Sequence, residues 1–376
     1  MYAWPLRPLL FLLPPDVAHA LAFVGLAPLE YLPPLRALMR AALGPRDRRI
    51  VVRAMGLEFP SPVGLAGGFD KNALRPRALA ALGFGYLELG TVTALAQPPN
   101  PKPNLFRLPL DRALVNRLGF PNDGASRVAA RMLARGIVPT ERGGSGGTGV
   151  PVGVSIGKSR AVSMDAIEQV VADYVAAFAP ARASANFVVV NVSSPNTKDL
   201  RAMQSAPLAR ALLTALVKAN DDAALGRAAP PVPILLKVAP DLDDAGIEAL
   251  LAVVEESKIA GVVATNTTVA RRGLSTDAAR VAAVGAGGMS GPPLRARALE
   301  VVRRVRSRLG AKPVVIGVGG VETAEHAMAL VRAGADLVQM YTGFVYEGPM
   351  SPSRIARDLA AMVEREGVAS LAELRG

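Results

Sequence analysis

Amide, hydroxyl, lysine and glycine residues recur in short clusters along this chain of 376 residues. They stand at 67–71 (GGFDK), 90–93 (GTVT), 116–120 (NRLGF), 191–197 (NVSSPNT), 265–268 (TNTT), 317–320 (GVGG) and 341–343 (YTG). Asn116, Asn191, Asn196 and Asn266 each offer a donor and an acceptor, a combination suited to a planar heterocycle with alternating C=O and N–H groups. Turn formation is the other common use of an isolated Asn. Lys71 and Lys237 lie near the ends of apolar runs, where a buried ammonium is costly unless it meets an anion. A lysine that snorkels to solvent at a rim is the alternative. Ser290-Gly291, the 317–320 glycines and Tyr341-Thr342-Gly343 suit a phosphate, because glycine lets backbone N–H groups approach an anion closely. The run from Gly317 to Glu322 does not complete G-x-G-x-x-G, so no dinucleotide fingerprint is present. For proton chemistry Ser194 is the natural candidate. A free serine is a poor base and needs a dry pocket, a neighbouring acceptor or a water chain; a purely hydrogen-bonding role is the alternative.

Composition narrows the field. There is no cysteine and there are two histidines, His19 and His326. Disulfides, an Fe–S cluster, a thiolate metal site and a catalytic Cys are excluded, and no metal is expected. The 51% hydrophobic content with 5% aromatics suits parallel strands covered by helices. The net charge of +12 favours anionic partners such as phosphate cofactors, acidic substrates or anionic lipid. The basic residues are scattered with little aromatic interleaving, so nucleic acid is not expected, and many arginines read as solvated helix faces. No run reaches the roughly eighteen apolar residues of a membrane span. The short apolar run at 9–13, behind Arg7, is cut off by Pro14, Pro15 and Asp16 and reads as mature sequence rather than a leader.

The elements that must position these residues follow from periodicity. Val17, Ala20, Leu21 and Val24 predict a first helix behind Asp16 as N-cap. Leu35, Leu38, Met39 and Ala42 predict a second after Pro33 and Pro34, with Arg36 and Arg40 on its other side. An apolar stripe beside arginines suits a lipid headgroup interface; packing on the main domain suits it equally. Beyond about residue 50, strands are predicted at 63–66, 86–89, 152–156, 187–190, 234–238, 261–264, 314–316 and 337–340. Helices are predicted at 73–82, 164–178, 208–218, 245–255, 324–332 and 352–364. Eight strand–helix repeats predict an α/β fold, a (β/α)8 TIM barrel spanning 46–376, behind a small two-helix extension over 1–45. The chemical clusters follow strand runs, except 116–120, which ends a long insertion, and the strand ends are where such barrels carry their chemistry. Two long insertions, 91–120 and 193–206, fall at that same end and read as lids or binding loops. The glycine-rich 143–149 stretch precedes a strand and reads as a silent linker.

In this order and spacing, these motifs, with ATNTT at 264–268, IGVGG at 316–320 and QMYTGF at 339–344, resemble the dihydroorotate dehydrogenases, specifically their membrane-associated, quinone-using class. The resemblance runs over nearly the whole chain. It implies oxidation of dihydroorotate to orotate in pyrimidine biosynthesis, with FMN as cofactor and quinone as acceptor. Ser194 would be the base at substrate C5 while hydride leaves C6 for flavin N5. It places Gly67, Gly68, Lys71, Thr91, Ser155, Asn191, Lys237, Thr265, Gly291, Gly320, Tyr341 and Thr342 around FMN. Lys71, Asn116, Arg117, Leu118, Gly119, Phe120, Asn191, Asn196, Asn266 and Thr267 would hold the substrate, and His19 and Arg107 the quinone head. The soluble classes use Cys as base, one of them with an Fe–S partner, and a chain without Cys is neither. The resemblance further implies a peripheral protein, on the cytoplasmic side of the cell membrane if bacterial, held at anionic lipid by its first helices. Two positions depart from the family pattern: Ser155 stands where Asn is usual, and Lys198-Asp199 where Pro-Gly is common. Other FMN barrels acting on dihydropyrimidines or dihydrouridine remain alternatives, although Cys is their expected acid; so does a basic barrel that binds without turnover.

Overall fold

The computed structural model describes residues 2–139, 146–226 and 230–376, and the backbone alone at 3 and 4. Positions 143–145 of the glycine-rich linker lie outside the described residues. Eight parallel strands close a barrel: β1 (Val63–Leu65), β2 (Tyr86–Val92), β3 (Val152–Ile156), β4 (Phe187–Asn191), β5 (Ile234–Val238), β6 (Gly261–Ala264), β7 (Val314–Val318) and β8 (Leu337–Met340). Each pairs with its chain neighbours, and β8 pairs with β1 to complete the ring. The strands are Val-, Leu- and Ile-rich and nearly every residue in them is buried, as both faces of such a sheet are covered. Polar residues interrupt that pattern at Glu88, Ser155, Lys237 and Gln339, all buried. Parallel register sets Asn191 opposite Lys237 on neighbouring strands.

Helices occupy the expected spans, running six and seven residues further at two of them (Ile167–Ser184 for 164–178, Ala206–Leu225 for 208–218) and shorter at 73–82, where the observed helix is only Pro76–Ala80. Its first turn is pre-empted by Asp70, whose carboxylate accepts from the Leu74 and Arg75 N–H groups, both at 2.8 Å, while Ala73 sits at φ 52°.

Two small sheets escaped the periodic reading. A hairpin, Val52–Ala54 with Leu57–Phe59, closes the N-terminal end of the barrel, and Phe59 packs edge-on against Tyr86 at 5.3 Å. At the other end Leu105–Leu108, Ala113–Asn116 and Gly288–Ser290 form an antiparallel sheet beside the mouth. The 91–120 insertion is therefore partly strand. Its prolines and three- to four-residue strands leave too few residues for an alternation to register.

Among the described residues the N-terminal extension holds a π-helical turn, Tyr2–Leu6, and four α-helices, Arg7–Leu12, Pro15–Gly25, Ala27–Tyr31 and Pro33–Leu43, where two are expected. Asp16 is not the N-cap of the second. Pro14 holds that position without a side-chain cap bond, and Asp16 in the first turn pairs with Lys102. The helices dock through Glu30, whose buried carboxylate accepts from the Ala78 N–H at 3.0 Å and lies 3.7 Å from the Arg135 guanidinium. The helices pack on the barrel and leave Leu12, Val24 and Leu38 at 82%, 67% and 64% exposure. No described helix is long and apolar enough to cross a membrane.

Candidate active site

The C-terminal ends of the strands surround a cavity of about 980 Å³, its open mouth included. Its floor is ionic. Lys237 from β5 stands 3.3 Å from Glu88 of β2, and the Gln339 amide of β8 donates to the other Glu88 oxygen at 2.8 Å. The side chains of Lys237 and Glu88 are 6% and 0% exposed, so Lys237 does not snorkel to solvent. The carbonyl oxygen of Gln339 is buried with no hydrogen-bond partner among the described residues, on a side chain that lines the cavity.

The four amides converge as their spacing suggests. Asn191 donates to Thr91 Oγ at 3.1 Å; Asn266 donates to Asn191 Oδ1 at 3.2 Å and to Ser193 Oγ at 2.9 Å; Asn196 donates to Asn116 Oδ1 at 2.9 Å. These bonds cross from loop to loop, so local turn formation does not account for them. Ser194 is buried among them and its Oγ accepts from the Asn196 N–H at 3.2 Å. Among the described residues no carboxylate or imidazole is bonded to that hydroxyl. Lys71 donates to the Gly68 carbonyl at 2.6 Å. Burial lowers its ammonium to about 8, with the Asp70 carboxylate opposing the shift.

The end of the cavity beside β7 and β8 is built for an anion. Thr342 Oγ donates to Ser290 Oγ at 2.7 Å, next to Gly291 at φ 108° and Gly320 at φ 72°. A Cβ on Gly320 would lie 2.9 Å from the Arg295 side chain, so only glycine fits that turn. Arg295 fixes the turn by donating to the Gly320 carbonyl at 3.0 Å and pairing with Glu322 at 3.2 Å. The cavity therefore joins a hydroxyl-and-glycine cradle to a floor carrying a cation and unsatisfied amide capacity. A flat heterocycle bearing a phosphate fits both ends.

Of the residues expected around cofactor and substrate, Gly67, Gly68, Lys71, Thr91, Asn116, Leu118, Gly119 and Phe120 line this cavity. So do Asn191, Ser194, Asn196, Lys237, Thr265, Asn266, Thr267, Gly291, Gly320, Tyr341 and Thr342. Two do not. Ser155 lies behind the wall, bonded to Thr91 Oγ at 2.9 Å, so it reaches the cavity through Thr91. Arg117 turns outward, donating to the carbonyls of Val284 at 2.7 Å and Ala286 at 2.9 Å and covering the Phe106 ring at 4.6 Å. Periodic reading passed over Glu88, Gln339 and Ser193. A buried Glu two positions from Tyr86 on an inward strand face was the available signal. Asp199, in the place where glycine is common, takes φ 55°, a conformation Asp adopts more readily than most residues.

His19 and Arg107 line a second, mostly apolar cavity of about 1550 Å³, its open mouth included, between the first helices and the barrel. Arg107 donates to the carbonyls of Phe11 at 3.2 Å and Leu13 at 2.7 Å and lies over the Phe11 ring at 4.5 Å. Burial, aided by the charge of Lys71, lowers His19 to about 4. Tyr341 lines both cavities, and burial raises its phenol to about 12.

Residues 49–363 match the family described as dihydroorotate dehydrogenase. The chain is 49% identical to the dihydroorotate dehydrogenase (quinone) of Thermobifida fusca over 96% of its own length and 92% of that protein. It is 46% identical to the Nocardia farcinica protein of the same description, over 100% and 96%. Among solved structures it is similar to ligand-free DHODH from Eimeria tenella, with a TM-score of 0.81 and 31% identity over 96% of this chain and 98% of that one.

Proposed function

The chain belongs to the dihydroorotate dehydrogenase family, and on that premise we propose that it oxidises dihydroorotate to orotate with FMN and passes the electrons to a membrane quinone. The observation that carries this reading is the single cavity in which Ser194, four cross-linked amides, Lys71 and Lys237 meet beside a glycine-and-hydroxyl cradle.

FMN, when bound, supplies the acceptor for the two electrons and the hydrogen leaving substrate C6. Ser290, Gly291, Gly320 and Thr342 would hold its phosphate. Thr91, Asn191, Lys237, Thr265 and Gln339 would hold its heterocycle, with Gly67, Gly68 and Tyr341 shaping the space around it. Lys237 stands at the floor, where negative charge develops as substrate is oxidised. Asn116, Asn191, Asn196, Asn266 and Thr267 present donors and acceptors to the dihydropyrimidine ring, and Lys71 pairs with the substrate carboxylate. Leu118, Gly119 and Phe120 complete the wall. Ser194 Oγ takes the proton from C5. Its burial keeps the site largely dry, and in the same step its own hydroxyl proton passes to a water chain leading to bulk solvent, the final acceptor.

The second cavity provides the quinone path. Its apolar lining accommodates an isoprenoid tail, His19 and Arg107 stand where the polar head would sit, and Tyr341 connects it to the first cavity. His19 is neutral near pH 7, so it offers a hydrogen bond rather than a charge. Residues 1–45 act as the quinone-access unit and 46–376 as the catalytic barrel. The exposed Leu12, Val24 and Leu38 support a peripheral attachment to an anionic membrane surface, on its cytoplasmic side in a bacterium, whereas Arg36 and Arg40 of the last helix are turned onto the carbonyls of Leu29, Glu30 and Thr148.

The test is anaerobic mixing of holoenzyme with dihydroorotate while the flavin band is followed. Ser194→Ala should retain FMN and slow flavin reduction by about 10²–10⁴-fold, the usual worth of a general base. Undiminished reduction removes Ser194 from that role.

A further inference from the structure

Arg201 lies in the 3-10 turn Leu200–Gln204, on the loop that follows Ser194. Its guanidinium has three partners on three different loops. Nε donates to the Ser193 carbonyl at 3.1 Å, Nη2 donates to the Thr267 carbonyl at 3.1 Å, and Nη1 pairs with Asp241 at 2.8 Å. Asp241 is itself tied to the Thr267 loop, accepting from Thr268 Oγ and from the Val269 N–H at 3.1 Å. The two carbonyls belong to the residues next to Ser194 and Asn266. We infer that Arg201 is a positioning residue that fixes the proton-abstracting loop against the substrate-binding loop, with Asp241 orienting its guanidinium.

The physical reason is the planar fork. A guanidinium directs several N–H groups at fixed angles, whereas an ammonium offers a point charge. Without the fork the two carbonyls lose their donor, and among the described residues the loops stay linked only through Asn266, which donates to Ser193 Oγ at 2.9 Å and Asn191 Oδ1 at 3.2 Å and leaves the backbone beside Ser194 free to shift. Ser194 then sits at a variable distance from the ring held by Asn266 and Thr267. A misplacement of about 1 Å can cost about 10²-fold in rate. This inference rests on Ser194 being the base.

The experiment compares holoenzymes carrying Arg201→Gln, Arg201→Lys, Asp241→Asn and Ser194→Ala. It measures the limiting rate of flavin reduction, orotate affinity by flavin absorbance, FMN content and melting temperature. Arg201→Gln is expected to lower the limiting rate tenfold or more and to weaken orotate binding, with FMN content unchanged. Arg201→Lys, which keeps the charge beside Asp241 but not the fork, should recover only part of the rate; Asp241→Asn should lose less than Arg201→Gln. If Arg201→Gln does not fold, the Lys and Asn variants carry the comparison. Limiting rates within twofold of the parent, even with a lowered melting temperature, reduce Arg201 to a structural residue and overturn the inference. Parent-like Arg201 variants beside an inactive Ser194→Ala sink this inference alone. A Ser194→Ala enzyme that reduces its flavin normally sinks the base assignment and this inference with it.

Discussion

Replacing Lys237 with Met removes the cation beneath the site while keeping most of the side chain's volume, and it strands Glu88 in the centre of the barrel. Glu88 is fully buried and Lys237 nearly so, at 3.3 Å from each other. Breaking such a pair from one side is strongly destabilising, by about 3–5 kcal/mol, because the remaining charge stays out of water. Gln339 still donates to Glu88 at 2.8 Å, which sets the expectation at the lower end, about 3 kcal/mol. For a chain of this size each kcal/mol corresponds to roughly 2 °C, so Lys237→Met should melt about 6 °C lower. The assay is thermal unfolding of flavin-stripped protein, which keeps altered FMN affinity out of the comparison. The Lys237→Met/Glu88→Gln double variant should regain more than half of the loss, since no buried charge remains. Two results refute the reasoning: a Lys237→Met protein as stable as its parent, or a double variant whose loss equals the sum of the two single losses, meaning that the groups are uncoupled.

Two further outcomes are expected. Lys71 titrates near 8 in the fold against 10.5 when free, so dihydroorotate affinity should fall as pH rises through 8 and the ammonium that meets the carboxylate is lost. The same shift makes the unfolded chain the better proton binder between pH 8 and 10.5, so this group's contribution to stability rises across that window. Lys71→Arg should abolish the inflection in affinity near pH 8, and a flat profile in the parent would remove Lys71 from carboxylate binding. Ala18→Trp, which fills part of the second cavity, should leave flavin reduction by dihydroorotate intact and lower turnover with quinone; equal quinone turnover would exclude that cavity as the path.

What the sequence by itself determined is what local chemistry and short-range periodicity encode. The eight apolar runs were legible because strands buried on both faces are uninterrupted stretches of Val, Leu and Ile. The functional end was legible because polar clusters follow those runs, and the absence of cysteine left Ser194 as candidate base with no knowledge of distances. Partnership was decided only in the tertiary structure. Glu88 and Gln339 are separated by 251 residues, and closure of β8 onto β1 and β2 brings them together under Lys237. The same local features at Arg117 and Arg201 lead in different directions: one guanidinium braces an outer loop while the other joins three loops at the site. Asp16 has the residue type of a cap, yet Lys102, from a distant loop, takes its carboxylate. The mouth sheet is likewise tertiary, since strands of three or four residues acquire their geometry from the partner they pair with and carry too little periodicity of their own.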